Sequence, residues 1–434
     1  MPKQVRVRVW KASALPPDWF KRQPPDDKAN AQIENDVKAI IARVVKSGDS
    51  ALVELTEKFD KARVDPKNLR VTTEEIEEAY GTVRKEQVSA LKFIKERIVA
   101  FEKLVLERAE FTTCKDGVTI RSGLRPIEKV GCYVPGGQAA YPSTLVMTAV
   151  PAKVAGVPRV VVCSPPNAEG KVNPLVLVAA DVCEINEVYK VGGAQAVAAL
   201  AYGTETIPPV KKIVGPGSKY VTMAKMLVSK DVAIDMPAGP SEVLIMADET
   251  ANAQLIALDM ISQAEHGADS VAGLITTSEK LAREVQGWLA KTAAFVERGE
   301  IVGKALEKYG FIITCEDITE AVELANVFAP EHVEIMTQNP DKVAEKITSA
   351  GLILVGSYSP VALSDYGSGT NHVLPTGGFG SAYSGLSALD FARRVSIVKS
   401  SKEGLQSVRK RVKVMTEAEK LPNHYKAVEA RFQK

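Results

Sequence analysis

The chain has 434 residues, of which 45% are hydrophobic and 25% charged, and 55 basic against 53 acidic residues give a net charge of +2. This length allows two or more domains, each with an ample core. The near balance of charge gives no support to a nucleic-acid partner or a membrane-surface partner.

Neither export nor membrane insertion is expected. The amino-terminal run MPKQVRVRVW carries positive charges with no apolar segment behind them, which argues against a secretory signal. No apolar run approaches the roughly 20 residues that a membrane span needs. The five cysteines are odd in number and widely spaced, without a CxxC pair. They favour reduced thiols in a cytoplasmic protein.

The first third of the chain is predicted to be an arm followed by helices. Residues 1–26 form the arm, because a short β-like run leads into a segment rich in proline. Apolar residues then recur at three- and four-residue spacing over 36–48, and again over 51–61, which predicts two helices. A long charged helical region is predicted over about 72–110.

The pattern changes near Val118, where β-rich runs begin to alternate with glycine-rich turns and helices. The alternation resumes at about Pro240 and predicts α/β domains, with parallel sheets covered by helices. From about Ala388 the chain is predicted to be helical and charged again. We assign these boundaries: 1–26 for the arm, 27–132 with 243–386 for the first α/β domain, 133–242 for the second, and 387–434 for the tail.

One predicted loop combines an acid and an imidazole. The stretch SDYGSGTNHVLPTGG carries Asp365 and His372 in a run dense in small and polar residues. Loops of this kind often carry chemistry, although Asp365 could simply cap a turn. We expect the loop to meet the three other histidines, each beside an acid, an amide or a helix end: His266, His332 and His424.

Gln263 and His266 lie three residues apart near the end of a predicted helix, so they share one face. A single histidine at a helix end is often only a favourable partner of the helix dipole. With Asp365 and His424 added, however, the nitrogen and oxygen donors suit zinc.

Glu331 and His332 lie between a predicted helix and a predicted strand. A carboxylate beside an imidazole suits proton transfer, since histidine titrates near about pH 6.5 when unperturbed. A turn followed by a polar strand end explains the same residues equally well. Cys132 is a second candidate group, as a nucleophile toward an aldehyde. No histidine or lysine neighbours it in sequence, which favours an inert thiol.

Three glycine-containing turns, GGQA, VGGAQ and VGPGS, each fall between a predicted strand and a predicted helix. Glycine lets the backbone approach a ligand closely, and helix N-termini attract phosphate. None of the turns is GxGxxG, so the standard dinucleotide fingerprint is missing. Any one of them could be a tight turn without a ligand, whereas three at one end of a sheet favour a ligand.

The tail offers Glu419 and His424. Thr416 and Glu419 have the spacing of a capping box, which would be a purely structural use of the acid. A tail that carries site residues must dock on the body of the protein or on a partner subunit.

Long motifs connect these places to one family. The chain resembles the histidinol dehydrogenase family over nearly its whole length. The resemblance implies two incomplete Rossmann-like domains, in which helices flank parallel sheets, with a helical N-terminal arm and C-terminal tail. The motifs that carry it are YVPGG, VGGAQAVAALAYGTE, IDMPAGPSEVL, SQAEHG, PEHVEIM, SDYGSGTNHVLPTGG and NHYKAVEAR.

The resemblance also implies roles for individual residues. It implies zinc ligands at Gln263, His266, Asp365 and His424, and an acid/base pair at Glu331 and His332. It implies substrate contacts at Ser241, Gln263, His266, His332, Asp365, His372, Glu419 and His424. It implies NAD contacts at Tyr133, Gln195 and Ser218. At Ser218 the sequence departs from the family pattern, which usually reads GPGN.

The implied reaction is the last step of histidine biosynthesis, in which L-histidinol is oxidised to L-histidine through L-histidinal with reduction of two NAD. The implied assembly is similar to an intertwined homodimer in which each tail completes the neighbour's active site. Three alternatives remain: a dehydrogenase of this family acting on another small polyfunctional alcohol, a zinc hydrolase using metal-bound water, and a non-catalytic NAD-binding module.

Overall fold

The structure, a computed structural model, describes residues 5–16, 19, 27–136 and 141–433. Of the predicted GGQA turn, only the first glycine, Gly136, is among these residues, and the rest of the turn lies outside them. The helices are α1 Asp27–Asp60, α2 Thr73–Thr82, α3 Lys85–Ala109, α4 Pro142–Val154, α5 Pro174–Val182, α6 Gly193–Tyr202, α7 Lys219–Val228, α8 Ala253–Ala264, α9 Glu279–Thr292, α10 Gly299–Tyr309, α11 Ile318–Phe328, α12 Pro340–Ala344, α13 Val361–Tyr366, α14 Lys402–Ala418 and α15 Pro422–Glu429.

The strands are β1 Arg8–Lys11, β2 Phe111–Lys115, β3 Val118–Pro126, β4 Lys129–Tyr133, β5 Arg159–Ser164, β6 Val188–Lys190, β7 Lys212–Val214, β8 Ala233–Ile234, β9 Glu242–Ala247, β10 Val271–Thr276, β11 Phe311–Thr314, β12 His332–Met336, β13 Leu352–Val355 and β14 Ala392–Ser400. In the described part of the chain, no helix is both long enough and apolar enough to cross a bilayer.

Two parallel sheets with the same strand order form the body. One has six strands in the order β1-β11-β10-β9-β12-β13, and the other has five in the order β6-β5-β4-β7-β8. If β1 is left out, the strands of each sheet lie in the order 3-2-1-4-5, numbered along the segment of chain that forms that sheet. These are five of the six strands of a Rossmann sheet. The predicted class, two incomplete Rossmann-like α/β units, is confirmed.

The central strands are continuous apolar runs, as parallel strands covered on both faces must be. All six residues of β9, EVLIMA, are buried, and so are five of the six in β5, RVVVCS. The acid that opens β9, Glu242, is therefore a buried charged residue at the edge of an apolar strand.

A three-stranded antiparallel sheet, β14-β3-β2, was not predicted. The hairpin loop between β2 and β3 consists of Asp116 and Gly117. Both residues have positive φ (50° and 77°), as a two-residue type I′ turn requires. β14 corrects the prediction that the chain is helical from Ala388, since it pairs with β3 over nine residues. Its alternating Val395 and Ile397 are the local signal of a strand. The helical tail begins only at α14.

The helices that precede β2 pack on the helices that cover the five-stranded sheet. α1 contacts α6 and α7, α2 contacts α5, and α3 contacts α4. Val37, Val44 and Leu52 of α1 share a buried cluster with Val161 of β5. An amphipathic pattern shows that a helix buries one face but not which neighbour covers it, and the predicted grouping of 27–132 with 243–386 stays a prediction. The β-like run predicted in the arm forms β1, which pairs with β11 at the edge of the six-stranded sheet.

The two sheets differ where parallel sheets usually bind ligands, at the carboxyl ends of the strands where the strand order reverses. In the six-stranded sheet this place holds Asp248, whose Oδ2 accepts the N–H of Gln338 (2.7 Å) and whose Oδ1 accepts the N–H of Thr250 (3.0 Å). Asp248 therefore occupies backbone N–H groups that a ligand phosphate would need as hydrogen-bond donors. In the five-stranded sheet the same place holds glycine turns.

Candidate active site

A cavity of about 380 Å³ lies between the two sheets. It opens at the amino ends of β9 and β12 on one side and at the carboxyl ends of β4 and β7 on the other. The six-stranded side contributes most of the chemical groups: Ser241, Gln263, His266, Glu331, His332, Asp365 and His372. The five-stranded side contributes turns, namely Pro135, Gly136, Pro216, Gly217 and Ser218.

Glu331 and His332 stand at the entrance of β12. The chain turns there through Ala329, which ends α11 in the left-handed conformation (φ 46°). Two ladder bonds then fix the strand start: the Gly351 N–H donates to Pro330 O (2.9 Å), and the Leu352 N–H donates to Glu331 O (2.8 Å). Both side chains are buried, so the pair is rigidly placed at the cavity wall.

Glu242 organises this pair. The Glu242 N–H donates to Glu331 Oε2 (2.7 Å), while the Glu331 N–H donates to Glu242 Oε2 (3.3 Å). Glu242 Oε1 also accepts the Gly377 N–H (3.1 Å). Burial raises the pKa of Glu331 well above its usual value, and the Glu242 and Asp365 charges add to this against the hydrogen bond from Glu242.

His332 lines the cavity, and one of its ring nitrogens has no partner. Its Nδ1 lies 3.2 Å from the carbonyl oxygen of Glu242, which can only accept, so Nδ1 carries the proton. Its Nε2 is buried without a partner. Burial lowers the pKa of His332 to about 4, against the opposing charge of Asp365. The imidazole is therefore neutral at physiological pH and offers the Nε2 lone pair as a proton acceptor.

Three of the four predicted zinc ligands share this cavity. Gln263 and His266 lie at the carboxyl end of α8, and Asp365 lies on α13 with its Oδ1 at 3.3 Å from Nδ1 of His372. Burial lowers the pKa of His266, which favours the neutral, ligating imidazole. Burial acts to raise the pKa of Asp365, but His372, His332 and His266 outweigh it, so the carboxylate stays ionised.

The fourth predicted ligand is elsewhere. His424 and Glu419 are exposed on the tail and do not line the cavity of their own chain. Accordingly, the described residues contain no group of three or more His, Cys, Asp or Glu side chains that could hold a metal ion. Glu419 ends α14 rather than opening a helix, and the Thr416 hydroxyl donates to Lys413 O (3.0 Å), so the predicted capping box is wrong.

The tail has an apolar surface of its own. α14 and α15 pack on each other, and large apolar side chains remain exposed at Val414, Met415 and Leu421. The neighbouring strand β14 exposes Ile397 and Val398. The tail and β14 therefore leave a group of large apolar side chains that the described part of the chain does not cover.

The predicted NAD contacts lie at the carboxyl end of the five-stranded sheet. Tyr133 is buried, and its hydroxyl accepts the N–H of Gly193 (3.1 Å), so it supports the turn that opens α6. Burial raises its pKa to about 12. Gln195 is 1% exposed, and its Nε2 has no partner. It lines a second cavity of about 580 Å³, and Ser218 lines both cavities.

The turn before Ser218 is held by a buried ion pair. Gly215 has φ 117°, and a Cβ there would lie 2.2 Å from Tyr133 O, so only glycine fits. Its N–H donates to Asp235 Oδ2 (2.7 Å), and its carbonyl accepts from Lys225 Nζ (2.9 Å). Lys225 and Asp235 also pair with each other. The ion pair and these two hydrogen bonds therefore hold the turn in one conformation.

Sequence reasoning missed two acids. Glu242 has a detectable signal, since a charged residue that opens an all-apolar strand must be buried with partners. Asp60, in the second cavity, ends a helix and carries no local signal. The structure also decides against Cys132 as a nucleophile: it is buried, and burial raises its pKa to about 12, so it stays a thiol.

Comparison with known proteins points to one family. The family model described as histidinol dehydrogenase matches residues 23–432. The histidinol dehydrogenase of Methanothermobacter thermautotrophicus is 48% identical, over 91% of this chain and 92% of that protein. That of Vibrio vulnificus is 44% identical over 99% of both. A crystal structure of histidinol dehydrogenase from Elizabethkingia anophelis superposes with a TM-score of 0.92 at 36% identity, covering 99% of this chain and 98% of that one.

Proposed function

The chain belongs to the histidinol dehydrogenase family, and we propose that it oxidises L-histidinol to L-histidine through L-histidinal, with two hydride transfers to NAD. One observation carries the proposal. A single cavity gathers a neutral imidazole with a free Nε2, a buried carboxyl group, and three polar side chains suited to a metal ion and its ligand. The reaction would complete histidine biosynthesis.

The donor set fits zinc. Gln263, His266 and Asp365 supply an amide oxygen, a neutral imidazole and an ionised carboxylate from two neighbouring elements, and His424 of a second chain would supply the fourth. Zinc at this place would hold the amino and imidazole nitrogens of the substrate in one orientation. Ser241, His372 and the partner's Glu419 are proposed to contact the rest of the substrate.

The five-stranded side fits NAD, which would accept the hydride. Gln195 offers an unpartnered buried amide, Ser218 lies between the two cavities, and the Gly215 turn keeps its backbone close to where a cofactor would lie. Tyr133 is proposed to contribute mainly through the turn that its hydroxyl supports.

His332 is the proposed proton acceptor in both oxidations. The Glu242 carbonyl holds its Nδ1 proton, and so Nε2 is free to take the hydroxyl proton of the substrate. Its lowered pKa leaves it neutral before each step. Glu331, beside it, is the proposed base for the water that adds to the aldehyde, and Glu242 aims its carboxylate.

The aldehyde must remain bound between the two steps, so we expect the two sheets to close on each other during turnover. We also propose a homodimer, because the tail is exposed, bears apolar side chains and carries two residues that its own cavity lacks. The five free thiols fit a reducing compartment, and we place the protein in the cytoplasm.

The test is an NADH assay with L-histidinol, before and after chelation. The proposal requires about two NADH per histidinol, loss of activity on chelation, and recovery with zinc. NADH from another small polyfunctional alcohol, but not from histidinol, would favour a different dehydrogenase of this family. Metal-dependent hydrolysis without dinucleotide binding would identify a zinc hydrolase. Binding of NAD without turnover of any such alcohol would identify a non-catalytic module.

A further inference from the structure

The second cavity contains a carboxyl group that no part of the mechanism uses. Asp60 is the last residue of α1 and lines the cavity together with Gln195. Its Oδ2 is buried and makes no hydrogen bond. Buried polar atoms in folded proteins nearly always have a partner, so an orphan that lines a cavity points to a ligand.

The cavity holds two such orphans of opposite kind. Asp60 Oδ2 can only accept a hydrogen bond when ionised, whereas Gln195 Nε2 can only donate one. A hydroxyl group is both donor and acceptor, and a vicinal diol offers two. The pair therefore matches the hydroxyls of a ribose better than it matches a phosphate, which carries only acceptors at neutral pH.

The position of Ser218 between the two cavities indicates that this ribose belongs to the adenosine half of a dinucleotide. Ser218, at the amino end of α7, lines both of them. A dinucleotide with its nicotinamide beside His332 would cross that helix end with its pyrophosphate, which helix N-termini favour. Its adenosine half would then lie in the second cavity. This step rests on the proposed function, because it takes NAD as the cofactor.

The sheet itself lacks the usual acid. In dinucleotide-binding sheets an acid about 20 residues after the glycine turn bonds the adenosine ribose. Here the second strand of the five-stranded sheet, β5, is followed by Pro165 and Pro166. A carboxylate from a helix outside the sheet can bond the adenosine ribose instead, but only if it reaches the same cavity. Asp60 does reach it.

We propose that Asp60 is a specificity-determining residue, which accepts the adenosine ribose hydroxyls of NAD and rejects the 2′-phosphate of NADP. Burial raises the pKa of Asp60 to about 6, so the group is mostly ionised near pH 8. A partly buried carboxylate repels a phosphate with less screening by salt than an exposed one.

Other charged groups of the cavity do not reverse this preference. Asp36 is already bonded to the Gln32 amide (2.9 Å). Arg43 is exposed and paired with Glu54. Lys58 is exposed, so water and salt screen it. The titratable groups near Asp60 also include Tyr133, which is bonded to Gly193, and Tyr220 at the cavity rim.

The experiment measures equilibrium binding by calorimetry at pH 8, without substrate. Wild type should bind NAD at least tenfold more tightly than NADP, and AMP more tightly than 2′-deoxy-AMP. Asp60→Asn should weaken NAD about tenfold or more, the usual cost of a charged hydrogen bond, and should reduce both preferences. Asp36→Asn removes the same charge from the same cavity and should keep both preferences.

The outcomes separate this inference from the proposed function. Wild type that binds no NAD contradicts the function. Wild type that binds NAD, but binds 2′-deoxy-AMP as tightly as AMP, overturns the inference without any variant. Unchanged preferences in a folded Asp60→Asn protein overturn it as well. If Asp60→Asn does not fold, Asp60→Glu keeps the charge and should still reject NADP; equal affinity for NAD and NADP in that variant would contradict the role of the carboxylate.

Discussion

Glu242 and Glu331 hold each other by reciprocal hydrogen bonds. Each backbone N–H donates to the other residue's carboxyl Oε2, at 2.7 Å from Glu242 and 3.3 Å from Glu331. The two residues stand at the amino ends of adjacent strands, β9 and β12. The proposed base is therefore fixed by a second acid, which in turn places its own carbonyl oxygen against His332.

Glu331→Gln should slow mainly the aldehyde step. The amide oxygen can still accept the N–H of Glu242, so the fold at the strand ends should survive, but the amide cannot take a proton from water. We expect oxidation of L-histidinal to fall by about 10²- to 10⁴-fold, with a much smaller effect on L-histidinol. Single-turnover rates of NADH formation from each compound measure this.

The pH profile provides the control for Glu331. Its raised pKa means that the carboxyl ionises late, so the wild-type aldehyde rate should rise as pH increases through that ionisation. The variant should lack this rise. Equal loss of both oxidations, or an unchanged pH profile, would show that Glu331 is not the base for water.

His266→Asn should remove the metal. An asparagine side chain is shorter than imidazole and a poorer zinc ligand, and the site then keeps only one strong donor from its own chain, Asp365. We expect bound zinc to fall below about one tenth per site by elemental analysis. His332→Asn is the matched control for metal content, because it deletes an imidazole from the same cavity that is not assigned to the metal and whose Nδ1 bonds the Glu242 carbonyl oxygen rather than a proposed ligand. Full metal content in His266→Asn would remove that residue from the ligand set.

Mixed dimers test whether the tail serves the neighbouring chain. Asp365→Asn and His424→Asn should each be nearly inactive alone. A heterodimer of the two has one site with both defects and one with neither, so random pairing of equal amounts should recover about one quarter of wild-type activity. If the tail serves its own chain, both sites of the heterodimer are defective. No recovery after confirmed subunit exchange would therefore contradict the proposed dimer.

Glu102→Gln should change how stability depends on pH. Glu102 of α3 accepts the Ala388 N–H (2.7 Å) and is buried. Burial raises its pKa to about 7, against that hydrogen bond and with the charge of Asp390 adding to the rise. The folded state therefore binds more protons than the unfolded state between about pH 4.5 and 7, and this group's contribution to stability falls as pH rises through that window.

The variant should lose this dependence. Urea unfolding at one protein concentration, at pH 5 and pH 8, should show a pH effect smaller by about 2 kcal/mol in Glu102→Gln than in wild type. Glu107→Gln, an exposed substitution on the same helix, should behave as wild type. An identical pH dependence in Glu102→Gln and wild type would mean that Glu102 is ionised at both values.

The sequence by itself determined the α/β class and the local chemistry. Parallel strands buried on both faces must be apolar runs, and β5 and β9 show this directly. Local spacing was also enough to pair Glu331 with His332 and Gln263 with His266, because neighbours in sequence on one element stay neighbours in space. The long family motifs added the expected roles.

Only the tertiary structure decided the relations between distant segments. It placed α1 to α3 on the helices that cover the five-stranded sheet, made a strand of β14, joined Glu242 to Glu331, and left His424 outside the cavity of its own chain. Each of these depends on which surfaces bury each other, a choice made among residues tens to hundreds of positions apart. A local sequence pattern can show that a face is apolar or that an acid is buried. It does not show which distant segment packs against that face or bonds that acid.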